Sequence, residues 1–139
     1  NPIRRKVLEQ VTQATTYNPL ETVPKTAQNC DLIIDAVGSG QTRGTASALV
    51  RPGGVIVHIG LQDNLDGLDT RRITLQEITF QGSYCYRNKD FALAVDLLVN
   101  KSITGSGWTE VRAMADGPQA FIDIDEGRAG PKIILKTIP

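Results

Sequence analysis

Residues 30–61, CDLIIDAVGSGQTRGTASALVRPGGVIVHIGL, decide how this chain folds. Residues 31–37 and 55–59 are apolar and rich in β-branched side chains, the composition of strands, the second of them buried. Between them lies a helix of small residues over 42–50, with Ala46, Leu49 and Val50 turned inward. Arg51-Pro52-Gly53-Gly54 ends it. A helical interval of that length predicts a parallel crossover, not a hairpin. Both strands run into glycine at their carboxyl ends, Val37-Gly38-Ser39-Gly40 and Ile59-Gly60-Leu61. Ligands of open α/β sheets bind at those ends, and glycine there lets backbone come close to a bound molecule. The pattern is that of a cofactor site.

Upstream, Asn1-Pro2 reads as the N-cap and first position of a helix. IRRKVLEQVTQA follows, with Ile3, Val7, Val11 and Ala14 on one stripe. A domain that opens on a helix cap, with no Met and no strand before it, is expected to be a fragment whose first strands precede residue 1.

The 139 residues suffice for one domain with a real core. Fifteen basic and 15 acidic side chains cancel, and Arg4-Arg5-Lys6 and Arg71-Arg72 are too short to form a nucleic-acid groove. No apolar run approaches a membrane span. Cys30 and Cys85 are the only cysteines and His58 the only histidine, too few for an ordinary four-ligand zinc site. Two reduced cysteines in strands suit a cytoplasmic protein. His58, inside VIVHIG, reads as a hydrogen-bonded core histidine or one near a ligand.

Farther along, residues 15–18 resemble a short strand cut off by Pro19, and residues 20–29 a short helix or loop. Residues 62–69 form a polar surface loop. RITLQEITFQGSYCY, residues 72–86, reads as two adjacent strands or one long bent strand, with Gly82 at the bend. Asn88 caps a helix carrying Phe91, Ala94, Val95 and Leu98 on one face. A strand is expected over 108–114. A helix over 117–126 follows, with Ala120, Phe121 and Ile124 inward, and then a strand over 131–136.

The order IDAVGS, ALVRPGGVIVHIGL, ITFQGSYCY, a helix, then GPQAFIDIDEGRAGPKIILK resembles the carboxyl-terminal part of medium-chain, zinc-type alcohol and polyol dehydrogenases. The resemblance covers nearly the whole chain. It implies an α/β fold: a partial Rossmann-like, doubly wound parallel sheet lacking its first strands. Residues 1–105 would be the NAD(P)-binding part and 106–139 a tail returning to the catalytic domain. It also implies what lies elsewhere: the zinc-holding domain, the glycine-rich phosphate turn and the acidic residue after the second strand. Gly38-Ser39-Gly40 is not that phosphate fingerprint.

The resemblance carries cofactor roles to specific positions. Arg4, with Arg5 as the neighbouring alternative, would lie against the adenosine ribose. Ala36, Val37, Gly38 and Ser39 would cover the adenine and ribose side. Ile59, Gly60 and Leu61 would meet the nicotinamide carboxamide through their backbone. Ser83, Tyr84 and Cys85 would border the nicotinamide, and Lys132, or else Arg128, would approach the pyrophosphate. Without the resemblance, Gly38 and Gly60 are turn glycines, Arg4 and Arg5 surface charges, and Tyr84 and Cys85 packed side chains.

The function implied is placement of NAD(P), with NAD preferred, for hydride transfer in a zinc-type alcohol or polyol dehydrogenase. Zinc would be bound only by the missing domain, and no catalytic residue is assigned here. A zinc-independent quinone or enoyl reductase and a non-catalytic nucleotide-binding module are the alternatives. Residues 71–77 are expected to pair, as a strand, with a symmetry mate in a homodimer or tetramer.

Overall fold

The computed structural model describes residues 1–137, so the tail expected over 106–139 ends two residues beyond them. The chain divides into two compact units, Val23–Arg87 and Asn1–Thr22 together with the chain from Asn88 onward.

The Val23–Arg87 unit is built on β1 (Cys30–Asp35), α2 (Gly40–Leu49, the second helix of the chain after α1, Pro2–Val11), β2 (Val50–His58), α3 (Thr70–Leu75) and β3 (Thr79–Gly82). The sheet order is β1-β2-β3 and both pairings are parallel, as the crossover spacing requires. Along most of the ladder the register is regular, with Ile33 opposite Ile56 and Asp35 opposite His58. It is broken between Cys30 and Leu32, because Val50 pairs with Cys30 and Val55 with Leu32. The extra residues on β2 are the Arg-Pro-Gly-Gly that ends the helix. They are taken into the start of β2 as a bulge, held by Arg51 on Asp31 (2.6 Å) and by the Gly53 amide on the Gln76 carbonyl (2.8 Å).

The core of this unit is Val50 and Ile56, both fully buried, with Ala46 and Ile78, flanked by Ile33, Ile73 and Phe80. On α2 the buried stripe is Arg43, Ala46 and Ser47, an i, i+3, i+4 spacing that faces one side of a helix. Leu49 is only half-buried, and Val50 closes the core as the first residue of β2.

The long or paired strand expected over 72–86 is corrected by the structure. Asp69 accepts the Arg72 amide at 2.8 Å and caps α3. Once the chain is helical, Ile73 and Leu75 no longer share a face: Ile73 packs on the core and Leu75 is exposed. The strand that residues 71–77 would offer a second copy is therefore not present. Glu77, at φ 52°, turns the chain into β3.

In the other unit, Asn1 caps α1 by accepting the Arg4 amide, and its own amide group donates to the Gly127 carbonyl. Residues 15–18 form no strand: the Asn18 carbonyl takes the Glu21 amide at 3.0 Å, a turn bond and not a ladder. α4 (Asn88–Val99) buries no residue. Its intended inner face, Phe91, Val95 and Leu98, is exposed. β4 (Thr109–Ala113), α5 (Gly117–Asp125) and β5 (Lys132–Lys136) form a second parallel crossover. On α5 only Gly117 and Ala120 are buried, whereas Phe121 and Ile124, expected inward, are exposed.

Candidate cofactor site

The carboxyl ends of β1, β2 and β3 lie side by side, because His58 is in register with both Asp35 and Gly82. Ten of the expected cofactor residues follow those three ends: Ala36, Val37, Gly38 and Ser39; Ile59, Gly60 and Leu61; Ser83, Tyr84 and Cys85. The Ser83 amide donates to the His58 carbonyl at 3.0 Å, which carries the β3 end alongside that of β2. Val37 (48% exposed), Ile59 (46%), Leu61 (77%) and Tyr84 (81%) leave an apolar rim open along this edge. Cys85 is exposed and adopts φ 53°.

The first two turns touch through their glycines. A Cβ on Gly38, whose φ is +75°, would fall 2.1 Å from the Gly60 carbonyl oxygen. One on Gly60 would fall 2.1 Å from the Val37 carbonyl carbon. Close approach of one turn to the other therefore requires both glycines with or without a ligand. This packing role was not legible from the two glycine turns read separately.

Three residues that the sequence reading passed over organise the same edge. Asp35 is buried, with its carboxylate receiving the amides of Gly38 (2.8 Å) and Val37 (3.1 Å), the Thr42 hydroxyl (3.1 Å) and His58 Nδ1 (3.1 Å). Burial pulls its pKa upward, but the bonds from Gly38, Thr42, Val37 and His58 outweigh that and hold the carboxyl below the ordinary range. An ionised carboxylate only accepts, so His58 Nδ1 carries the hydrogen. The His58 ring also lies 5.4 Å from the Phe80 ring. This bears out a hydrogen-bonded histidine at β2. The signal available in sequence was one acid ending the apolar run Leu32-Ile33-Ile34.

Arg43 and Asp63 are the other two. Arg43 donates to the Gly38 carbonyl (3.0 Å), the Asp63 carbonyl (3.3 Å), the Asp63 carboxylate (2.8 Å) and the Leu65 carbonyl. Asp63 Oδ1 also receives the amides of Gly40 (3.0 Å) and Leu65 (3.1 Å). Desolvation raises the Asp63 pKa, but Arg43 and the two amides win and lower it. The pair pins loop 62–69 across the start of α2.

These bonds settle what the α2 N-terminus can do. The Gly38 amide is given to Asp35, that of Ser39 to the Thr42 hydroxyl at 3.0 Å, and that of Gly40 to Asp63. An anion cradle needs free amides at a helix start. Those three are spoken for, so Gly38-Ser39-Gly40 is a capping turn and not a phosphate loop.

The remaining expected residues belong to the other unit. Arg4 and Arg5 line a cavity of about 500 Å³ with Leu8, Tyr17, Trp108 and Pro131. Lys132 is exposed at the start of β5, opposite Thr109. Arg128 pairs with Asp123 (2.9 Å) and Glu126. Among the described residues no group of three or more His, Cys, Asp or Glu side chains could hold a metal ion, so these residues do not fit zinc.

Fold and edge together define an open parallel α/β unit with exposed apolar side chains along its strand ends. The chain belongs to the zinc-binding dehydrogenase family, which matches residues 3–100. It is 30% identical over 109 residues to the probable D-xylulose reductase A of Aspergillus clavatus, covering 78% of this chain and 30% of that protein. The chain thus spans about a third of the length of that relative. Two solved structures share the fold. One is 2R,3R-butanediol dehydrogenase from Bacillus subtilis, with TM-score 0.83, 16% identity, and coverage of 99% of this chain and 42% of that one. The other is acetophenone reductase from Geotrichum candidum in complex with NAD, with TM-score 0.73, 20% identity, and coverage of 84% and 33%. No helix among the described residues is long and apolar enough to cross a membrane.

Proposed function

We propose that this chain is the NAD(P)-holding portion, with NAD preferred, of an oxidoreductase that acts on a small alcohol or polyol, and that it places the nicotinamide for hydride transfer. The observation that carries the reading is the apolar rim of Val37, Ile59, Leu61 and Tyr84 along three adjacent strand ends. Flat ring faces are covered by such side chains; since the Ile59 and Gly60 amides are given to the Asp35 carbonyl, the turn would meet a carboxamide NH2 through its carbonyls. The bound cofactor supplies or accepts the hydride. The chain's own residues hold the rings and exclude water from one face of them. The Gly38, Ser39 and Gly40 amides before and at the start of α2 are already bonded and do not serve the pyrophosphate. Arg4, Arg5 and Lys132 are assigned by the resemblance to the adenosine ribose and pyrophosphate.

The substrate class follows the reductase relative, and zinc, where the whole protein uses it, is held outside the described residues. A homodimer or tetramer belongs to the same proposal, with sedimentation of the full-length protein as its check.

The test is fluorescence titration of NADH and NADPH into the full-length protein. Saturable NADH binding is expected, weakened about tenfold by Leu61→Glu and left unchanged by Leu65→Glu. Leu65 is likewise apolar and exposed but lies in loop 62–69, outside the turns assigned to the cofactor. Equal effects of the two variants, or no binding by the unaltered protein, would overturn the reading.

A further inference from the structure

Asp35 reaches both turns of the candidate site from one buried point. Its Oδ1 takes the amides of Val37 and Gly38, setting the turn after β1. Its Oδ2 takes the Thr42 hydroxyl and His58 Nδ1, fastening that turn to the start of α2 and to the end of β2. Its main-chain carbonyl takes the amides of Ile59 and Gly60, both at 3.0 Å, setting the turn after β2. The two turns then meet at Gly38 and Gly60, where there is no room for a Cβ on either side. An error in one turn is transmitted to the other, since packed backbone cannot give without moving its neighbour.

We propose that Asp35 is a positioning residue for the dinucleotide, acting through the turns that bear Val37 and Leu61. The inference rests on the function proposed above and goes beyond it by assigning the cofactor's fit to a side chain that does not touch it. Each bond to a buried carboxylate is worth enough to hold a turn, and losing several leaves the Val37 and Gly38 amides without partners. Asparagine would keep Oδ1 for those two amides. It would place an NH2 against His58 Nδ1, forcing the ring to its other tautomer.

The experiment compares NADH affinity, kcat at saturating cofactor and unfolding midpoint in the full-length protein and three variants. Asp35→Ala is expected to weaken NADH about tenfold with kcat changed less than about twofold. Asp35→Asn is expected to restore affinity to within about threefold of the unaltered protein, with ¹⁵N NMR showing His58 Nδ1 deprotonated. Val50→Ala, in the core of the same unit, is expected to lower the midpoint while sparing affinity. Should Asp35→Ala fail to fold, Thr42→Val carries the test, with affinity about threefold weaker.

Unchanged affinity in the folded Asp35→Ala or Thr42→Val protein would overturn the inference. So would a loss in Val50→Ala as large as that in Asp35→Ala. Absence of NADH binding by the unaltered protein would overturn the function itself, and this inference with it.

Discussion

The two parallel crossovers, β1-α2-β2 and β4-α5-β5, use one motif and hold it by different means. The first is flanked by β3, so its middle strand β2 has a neighbour on each side and keeps Val50 and Ile56 fully buried. Its polar groups are drawn inward, with Asp35, Ser39, Arg43 and Ser47 buried and bonded. The second has only two strands and buries little more than Gly117, Ala120 and Ala129. It is braced at the surface by Asp123, which binds Arg112 (2.7 Å), Arg128 (2.9 Å) and Gln119 (2.9 Å). A middle strand with two neighbours lets a crossover build a core and a polar hub. A lone pair of strands leaves it dependent on ion pairs that water weakens.

The largest expected effect is at the glycines of the first crossover. Gly38→Ala or Gly60→Ala should cost on the order of 3 kcal/mol, because a Cβ would overlap backbone that has no free rotamer to escape into. Urea unfolding followed by circular dichroism measures it. A loss below about 1 kcal/mol would show that the turns part easily, and the contrast with the second crossover would lose its basis.

Acid should weaken the second crossover through Asp123. Bonds from Gln119, Arg112 and Arg128 draw the Asp123 carboxyl from 3.8 to about 2. A carboxyl depressed in the folded state contributes stability above its unfolded value and loses it as pH falls through the folded one. Stability from Asp123 is therefore intact near neutral pH and declines from about pH 4 towards pH 2. Asp35 and Asp63, also held low, share that sign. Thermal unfolding between pH 5 and pH 2 should fall less steeply in Asp123→Asn than in the unaltered protein. Identical slopes would remove Asp123 from the account.

The smallest effect is expected at Gly105 and Gly130, where nothing lies within 4 Å of an added Cβ. Gly105→Ala and Gly130→Ala should change unfolding free energy by no more than about 0.5 kcal/mol. A cost matching that at Gly38 would mean that the second crossover is packed as tightly as the first.

Much of this was legible in residues 30–61. The apolar runs and the helix-length interval required parallel strands, and β1 and β2 are parallel. The helix cap at Asn1 was legible too, and its side chain accepts the Arg4 amide; the Ser39 cap, which starts α2 at Gly40 and not at residue 42, was not. Residues 71–75 misled because Ile73 and Leu75 alternate as a strand would. Asp69 capping Arg72 makes a helix instead, and a cap is worth about 1 kcal/mol against a weak two-residue pattern.

At the site, the sequence marked the turns but not what shapes them. Periodicity and composition act along the chain, so they specify strands, helices and their order. The partnership of Asp35 with His58, of Arg43 with Asp63, and of Gly38 with Gly60 joins residues 20 or more apart. Only the parallel register brings them within bonding distance. The sequence by itself therefore determined a parallel crossover with glycine at the carboxyl ends of its strands. The tertiary structure decided that those glycines pack on each other and that buried Asp35 bonds both turns, one through its carboxylate and the other through its main-chain carbonyl.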